Sequence, residues 1–266
     1  MIDEEISSAV DALDKAEKTQ VQTGLLSRKF PEMTMDDAYK VQKMWVRKKI
    51  LTGQKIIGWK IGLTSKAMQY ALNIDTPDSG VLLDDMKFAN KSIIPAGRFI
   101  QPRIEAEIAF VMKSSLSGDI TVDDVKNATD YVTASLEILD TRVLRVDPDT
   151  GQSRVIVDTI SDNAANAGVI LASERHSVDS FDLRRVGAIV SRNNEVEETG
   201  LGAGVLGDPI LGIVWLAKRM AQYDQKIEPG QIILSGSFIR AIEAHPGSHI
   251  CADFGDFGSV SVEFEN

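Results

Sequence analysis

The sequence contains little of what several common kinds of active site require. Cysteine occurs once, at Cys251, so the chain can form neither an intrachain disulfide nor a cluster of thiolate metal ligands. Histidine occurs three times, with no spacing typical of metal ligands, and there is no GxSxG motif. Histidine-bound zinc and serine hydrolase chemistry therefore have no support in this sequence.

Excess positive charge and long apolar runs are also lacking. The net charge of −10 argues against broad nucleic-acid binding and against attachment to anionic membranes. No segment approaches the roughly 18 apolar residues of a membrane span, and the acidic start of the chain does not resemble a signal peptide. With 43% hydrophobic and 26% charged residues, the composition is that of a globular protein. We expect a soluble, cytoplasmic protein without nucleic-acid or membrane partners.

The first part of the chain is predicted to be helical. Residues 2–18 carry apolar side chains at helical spacing. A second helix begins after Thr34, which can cap its start, and ends before Gly53, with basic residues in its last turns. We therefore expect a helical region over residues 1–54 and a β-rich catalytic domain over 55–266. The alternative is that the two regions form one continuous domain.

The pattern with most chemical content is the alternation in residues 103–110, RIEAEIAF. In a β-strand, Glu105 and Glu107 project from one face while the apolar residues between them project from the other. Two carboxylates this close repel each other unless water screens them or a cation neutralises them. The alternation alone leaves both alternatives open, a solvated strand face or a cation site.

Two further strands repeat this arrangement. Residues 55–63 alternate so that Lys60 lies between Gly58 and Gly62 on the face opposite the apolar side chains, and residues 131–139 place Glu137 in the same way. Glycines beside a lysine allow a ligand or another backbone to approach it, although a surface lysine on a weak strand is the alternative. One polar cavity would explain all three strands together.

Two polar segments allow both a functional and a purely local interpretation. The turn-rich residues 73–80 contain Asp78, which either contributes to a loop over a site or stabilises a turn. Residues 161–166, SDNAAN, either line a pocket or satisfy their own backbone. A GxGxxG match at 202–207 follows the charged strand of a predicted hairpin over 186–199, which is not the context of a dinucleotide site.

Five segments together resemble the hydratase and decarboxylase branch of the fumarylacetoacetate hydrolase superfamily. They are residues 58–65 (GWKIGLTS), 102–107 (PRIEAE), 136–140 (LEILD), 161–164 (SDNA) and 235–237 (SGS), and the resemblance extends over nearly the whole chain. It implies an α+β fold, with a mixed β-roll or barrel core and helices packed outside. It also implies a homo-oligomer based on dimers, of a size up to a decamer.

The resemblance also implies the site and its chemistry. Glu105, Glu107 and Glu137 match the carboxylates that bind Mg²⁺ or Mn²⁺, and Lys60 matches the active-site lysine, with Asp78 as a further catalytic candidate. The substrate-binding candidates that it gives are Ser161, Asn163 and Ser237. Mg²⁺ prefers about six oxygen ligands, so three carboxylates leave positions for a chelating 2-oxo acid and a water. A lysine beside this cation is expected to have a lowered pKa.

The function implied is a lyase that adds water to a 2-hydroxy-2,4-dienoate in the catabolism of aromatic compounds, homoprotocatechuate among them. A 4-oxalocrotonate decarboxylase of the same branch is the alternative, because the same enolate can accept electrons from a departing carboxylate. A non-catalytic, metal-stabilised binding protein is the alternative of a different class. Arg142 and Arg240 are candidates for binding a distal substrate carboxylate, unless they are exposed surface arginines.

Overall fold

The computed structural model describes residues 1–71 and 76–266. The α-helices of these ranges are α1 (Asp3–Thr19), α2 (Leu26–Lys29), α3 (Met35–Leu51), α4 (Lys66–Ala71), α5 (Val122–Ala128), α6 (Ile156–Ser161) and α7 (Pro209–Ala221). The two predicted N-terminal helices are α1 and α3. Thr34 caps α3 as expected, since its hydroxyl accepts a hydrogen bond from the Asp37 N–H at 3.2 Å. No helix within the described ranges is long and apolar enough to cross a membrane.

The strands of the described ranges form two sheets. They are β1 (Ile56–Gly62), β2 (Asp78–Leu83), β3 (Lys87–Phe88), β4 (Ser92–Ile94), β5 (Arg103–Met112), β6 (Thr129–Leu139), β7 (Asn166–Leu171), β8 (Gly187–Arg192), β9 (Glu195–Leu201), β10 (Ile232–Ser237), β11 (Ile242–Glu243), β12 (His249–Asp253) and β13 (Ser259–Phe264). The large sheet has the order β2-β1-β10-β5-β6-β7-β3, with β11 paired to β5, and the small sheet has the order β4-β13-β12-β8-β9. The predicted α+β class is confirmed.

The large sheet is mixed and curls until β2 approaches β7. Strand β10 runs parallel to β1 and antiparallel to β5, and therefore joins the early strands to the central ones. The curl is closed by side chains: Asn166 donates to the Val81 carbonyl at 3.1 Å, and the Asn163 amide pairs with both the N–H and the C=O of Val81. This closure places the polar face of the sheet inside a half-barrel.

The main hydrophobic core lies between the two sheets. This core contains the side chains on one face of β5 and β6, including Ile104, Ile108 and Leu136. It also contains residues of the small sheet, such as Val190 and Ile250. Since alternate residues of a strand point to opposite faces, this burial turns the glutamates of β5 and β6 toward the half-barrel interior. The predicted hairpin is formed by β8 and β9, with Asn193 and Asn194 at positive φ in its turn.

A second hydrophobic cluster belongs to the helices. Leu13 of α1 and Trp45 of α3 pack there with Val143, Val157 and Ile160, which lie far along the chain. The division into residues 1–54 and 55–266 remains a prediction. Because the cluster draws on both parts, it favours the variant in which they form one continuous domain.

Candidate active site

Three glutamates of β5 and β6 meet in the half-barrel interior. The antiparallel register places Glu105 directly opposite Glu137, with Glu107 two residues further along β5. One carboxylate oxygen from each of the three lies within 4.8 Å of the others. The side chains of Glu107 and Glu137 are fully buried, and Glu105 is half-buried at the rim. The solvated strand face is therefore the wrong alternative.

The electrostatics of these carboxylates match a cation site. Burial, followed by repulsion from Glu105, raises the pKa of Glu107 to about 7, and burial raises the pKa of Glu137 well above its ordinary value. Oε1 of Glu107 and both carboxylate oxygens of Glu137 have no hydrogen-bond partner among the described residues. Buried anionic oxygens without partners are costly, and a divalent cation with a preference for oxygen ligands removes that cost. The three residues thus fit a divalent metal.

Lys60 lies beside this cluster because β1 is joined to β5 through β10. Its side chain is buried, and its Nζ lies 3.4 Å from Oε1 of Glu137. Burial alone would lower the pKa of Lys60, but the carboxylates, Glu137 and Asp78 foremost, outweigh it and raise this pKa above the ordinary value. The rise comes from four acidic side chains around one ammonium; the expected lowering of this pKa, which concerns Lys60 beside a bound cation, stays a prediction. The alternative of a surface lysine is wrong.

The glycines around Lys60 have distinct steric reasons. A Cβ on Gly62 would lie 2.2 Å from Oδ1 of Asp78 and 3.1 Å from the Lys60 Nζ, so the missing side chain leaves room for both charged groups. A Cβ on Gly58 would lie 1.9 Å from the Ile232 carbonyl oxygen, so that glycine permits the close approach of β10. Both glycines therefore allow a close approach, as predicted. At Gly62 the approaching groups are the Asp78 and Lys60 side chains, and at Gly58 the approaching group is the backbone of β10.

Asp78 begins β2 opposite Gly62, within the strand and not in a turn. Its side chain is buried, and its Oδ1 has no hydrogen-bond partner among the described residues. Burial raises the pKa of Asp78, against the opposing effect of Lys60. The sequence segment that predicted a loop over the site also includes residues 73–75, which lie outside the described residues. Asp78 itself lies near the carboxylate cluster, because it is one of the acidic side chains that raise the pKa of Lys60.

Ser161 and Asn163 are both buried, with their side chains already engaged by the protein. The Ser161 hydroxyl donates to the Val157 carbonyl at 2.7 Å within α6. The Asn163 amide oxygen accepts from the Val81 N–H at 2.7 Å, and its nitrogen donates to the Val81 carbonyl at 2.9 Å. Their predicted contact with substrate stays a prediction, while the observed contacts give Asn163 a part in closing the half-barrel.

Ser237 lies at the end of β10, directly opposite Glu107 in the register of β5. Ser237 and Glu105 both line a cavity of about 310 Å³. The cavity is lined by Gly62, Leu63, Thr64, Ser65, Glu105, Glu198, Thr199, Gly204, Ser237, Phe238, Ile239 and Arg240. The Ser237 hydroxyl donates to the Ile239 carbonyl at 2.8 Å, which fixes its orientation at the cavity wall. The cavity gives a small molecule access to Glu105, the carboxylate of the three that lines it.

The two arginines considered for a distal carboxylate differ in their surroundings. Arg142 is buried and donates to the side chain and the carbonyl of Asp162 and to the Asn166 carbonyl, so the expectation of an exposed arginine is wrong for it. Its donors are already used. Arg240 is 81% exposed and forms an ion pair with Glu198 at the edge of the cavity, as expected of a surface arginine.

One contributor to the site was missed at the level of the sequence, the backbone of Gly236. Its N–H donates to Oε2 of Glu107 at 2.8 Å, and its φ of +119° is one that other residues rarely adopt. A Cβ there would lie 2.3 Å from the Thr64 hydroxyl oxygen. The Ser-Gly-Ser sequence indicated that this segment belongs to the site. Only the pairing of β10 with β5 shows that the glycine backbone contacts Glu107.

Comparison with known proteins gives consistent relatives. No family model matches the chain. It is 51% identical over 253 residues to 2-oxo-hept-4-ene-1,7-dioate hydratase of Escherichia coli, covering 95% of each chain. It is 38% identical to 2-keto-4-pentenoate hydratase of Paraburkholderia xenovorans (strain LB400), covering 89% of this chain and 86% of the relative. Among solved structures, 4-oxalocrotonate decarboxylase from Pseudomonas putida G7, complexed with magnesium and adipate, superposes with a TM-score of 0.93 at 33% identity, covering 99% and 98% of the two chains.

Proposed function

Since the chain belongs to the hydratase and decarboxylase branch of the fumarylacetoacetate hydrolase superfamily, we propose that it is a metal-dependent hydro-lyase of 2-oxo-alkenoates. The proposed substrate is 2-oxohept-4-ene-1,7-dioate with its 2-hydroxydienoate tautomer, and the product is a 4-hydroxy-2-oxo acid. The observation that carries this proposal is the group of three carboxylates beside Lys60 and Asp78, one of which, Glu105, lines a cavity of about 310 Å³. Identity favours a hydratase, at 51% against 33% for the decarboxylase structure.

Glu105, Glu107 and Glu137 are proposed to hold the metal, as Mg²⁺ or Mn²⁺. The unpartnered oxygens of Glu107 and Glu137, and the raised pKa values of both, support this role, because a cation would compensate their buried negative charge. When bound, the cation supplies Lewis-acid stabilisation of negative charge on the 2-oxygen of the substrate. The Gly236 N–H holds Glu107 in position for this.

Lys60 is proposed to stabilise negative charge on the substrate as it develops. Its side chain is buried among the acidic groups of the site, where the ammonium can donate a hydrogen bond to a developing oxyanion. Glu137, 3.4 Å from the Lys60 Nζ, orients the ammonium toward the carboxylate cluster. Burial of both partners makes this interaction stronger than it would be in water.

Asp78 is proposed to move the proton. Burial raises its pKa, and its Oδ1 is free of hydrogen bonds within the described part of the chain, so the carboxylate can accept a proton from the attacking water. The 2-hydroxydienoate first becomes the unsaturated ketone: its 2-hydroxyl loses a proton, a proton is added at C5, and the remaining double bond lies between C3 and C4. The water oxygen then bonds to C4, Asp78 takes one of the water protons, and the same proton is returned to C3. The sum is the addition of H and OH across the C3–C4 double bond, with Asp78 regenerated.

The test is to incubate the magnesium-loaded protein with 2-hydroxyhepta-2,4-dienedioate and, separately, with 4-oxalocrotonate. We expect the ultraviolet absorbance of the first to disappear as it is hydrated. Carbon dioxide release from the second without hydration of the first would identify a decarboxylase instead. If magnesium raises the melting temperature but neither compound is consumed, the protein is a metal-stabilised binding protein and the proposal fails.

The assembly and location of the protein are proposed from the same resemblance. We propose a homo-oligomer built from dimers, acting in the cytoplasm on a small-molecule substrate, and the acidic net charge of −10 favours neither nucleic acid nor an anionic membrane as a partner. Analytical ultracentrifugation of the purified protein tests the assembly: a monomer at micromolar concentration would contradict it.

A further inference from the structure

Three arginines converge at the rim of the carboxylate site. Arg103 lies on the same face of β5 as Glu105 and Glu107, because it precedes them by two and four residues. Arg145 and Arg154 belong to the segment between β6 and α6, which folds back on itself: the Arg154 N–H donates to the Arg145 carbonyl at 2.9 Å. This fold brings two guanidinium groups from distant positions next to the first.

Two of the three arginines have no ion-pair partner in the described parts of the chain, while Arg103 is paired with Glu243 at 3.0 Å. Arg145 donates to the Gln101 carbonyl at 3.2 Å and Arg154 to the Thr141 hydroxyl at 2.9 Å, and neither has a carboxylate within 4.0 Å in the described parts of the chain. Burial and the neighbouring Arg154 and Arg103 lower the pKa of Arg145 to about 10. Partly buried cations without a counterion are costly, so this arrangement needs a reason.

The position of the cluster suggests what the counterion is. Arg103 and Arg145 line a cavity of about 260 Å³ that shares no lining residue with the cavity of Glu105. Arg154 is close enough to Asp78 to oppose the rise of its pKa, which connects the cluster to the acidic residues of the site. Strand residues two apart lie roughly 7 Å from each other, so Arg103 is about that far along β5 from Glu105. An extended seven-carbon chain has a comparable length. An anion held at the far end of a substrate bound at Glu105 would therefore reach the arginines.

We propose that Arg103, Arg145 and Arg154 bind the distal carboxylate of a dicarboxylic substrate and so select dioates over monocarboxylic dienoates. This assignment rests on the proposed function, and it replaces Arg142 and Arg240 as candidates for that role. Guanidinium groups present paired N–H donors that match the two oxygens of a carboxylate. A monocarboxylic substrate leaves the cluster without its anion.

The first test compares two substrates in one variant. Arg145→Gln is expected to lower the ratio of kcat/KM for 2-hydroxyhepta-2,4-dienedioate to that for 2-hydroxypenta-2,4-dienoate by about 10- to 100-fold, the usual loss for one charge-assisted hydrogen-bonded pair. Arg145→Lys should recover part of that ratio, since lysine keeps the positive charge but lacks the paired N–H donors of the guanidinium group. Arg185→Gln, on an arginine that is 88% exposed, is the matched control. An unchanged ratio in Arg145→Gln overturns the proposal.

The second test does not depend on turnover. Calorimetric titration of the magnesium-loaded protein with 2-oxoheptanedioate and with 2-oxoheptanoate, neither of which can be hydrated, measures the preference for a distal carboxylate directly. We expect the dioate to bind at least 10-fold tighter to the unmodified protein and Arg145→Gln or Arg154→Gln to lose that difference. A protein that shows this preference but hydrates nothing retains the arginine site and refutes the hydratase. Equal binding of the two acids, or a preference that survives both substitutions, overturns the arginine site.

Discussion

Replacing Glu107 by glutamine should have opposite effects with and without the metal. The substitution keeps the shape of the side chain and removes one negative charge from a fully buried group of carboxylates. Without a cation, we expect the variant to be more stable than the unmodified protein, because it relieves repulsion that burial intensifies. With magnesium, the order should reverse, because the variant lacks one ligand.

The size of the effect follows from the Glu107 carboxyl. Its pKa rises from the ordinary 4.5 to about 7, which at about 1.4 kcal/mol for each pH unit corresponds to about 3 kcal/mol. The native state binds this proton more tightly than the unfolded chain. The destabilisation of the native state by ionised Glu107 is therefore absent below pH 4.5 and complete once the pH has risen above 7. Glutamine accepts a weaker hydrogen bond from the Gly236 N–H, which offsets about 1 kcal/mol. The net stabilisation is about 2 kcal/mol at pH 8.

The assay is thermal and urea unfolding in EDTA at pH 5 and pH 8, repeated with magnesium. We expect Glu107→Gln to melt roughly 4–8 °C higher than the unmodified protein at pH 8 without metal, with little difference at pH 5. Magnesium at 100 times its dissociation constant should stabilise only the unmodified protein, by about 2.7 kcal/mol. Glu263→Gln, on an exposed glutamate of β13, is the control. Equal stability at pH 8 in EDTA, or equal stabilisation by magnesium, would refute the reasoning.

Two further substitutions separate catalysis from folding. Gly62→Ala places a Cβ 2.2 Å from Asp78 Oδ1, so we expect the displaced Asp78 and Lys60 to lower kcat by about 10- to 100-fold in the hydration assay. Asn163→Ala removes both of its hydrogen bonds to Val81; the Val81 carbonyl keeps Asn166, but the buried N–H loses its asparagine partner, so the urea midpoint should fall by an amount equivalent to about 1–3 kcal/mol.

Each of these has a matched comparison. Gly24→Ala tests a glycine with nothing within 4 Å of its Cβ and should leave kcat near that of the unmodified protein. Asn90→Ala tests an asparagine with partly exposed hydrogen bonds to Ser259 and Ser261 and should cost less than Asn163→Ala. A Gly62→Ala enzyme with full kcat would remove the steric argument. An Asn163→Ala protein of normal stability would show that the half-barrel closes without that side chain.

The strands of the site were predictable because their alternation is strict. Glu105, Glu107 and Glu137 each lie opposite an apolar face, and period-two patterns assign faces wherever one face is buried. The superfamily resemblance gave the fold class, which the relatives bear out, and the carboxylate group, whose role in binding a metal stays a prediction. What alternation alone did not provide was the register of β5 on β6, on which the 4.8 Å grouping depends.

The rest of the site depends on contacts between distant parts of the chain. The part of Asn163 in closing the half-barrel rests on Val81, which is 82 residues away. Arg142 looked like a surface residue because its partner Asp162 lies 20 residues further on, in a segment with no periodic pattern. The raised pKa of Lys60 likewise results from four carboxylates on three strands, a sum that no local pattern contains.

The insertion of β10 between β1 and β5 has a consequence for the order of folding during synthesis. Strand β10 comes late in the chain, yet Lys60 and the three glutamates cannot become neighbours until it is in place. Pairings over such sequence separations are slow to form. A nascent chain without residues 232–237 lacks the Gly236 N–H that orients Glu107, and should therefore bind a cation more weakly than the finished protein. The ion would join a nearly finished protein and would not guide its early folding.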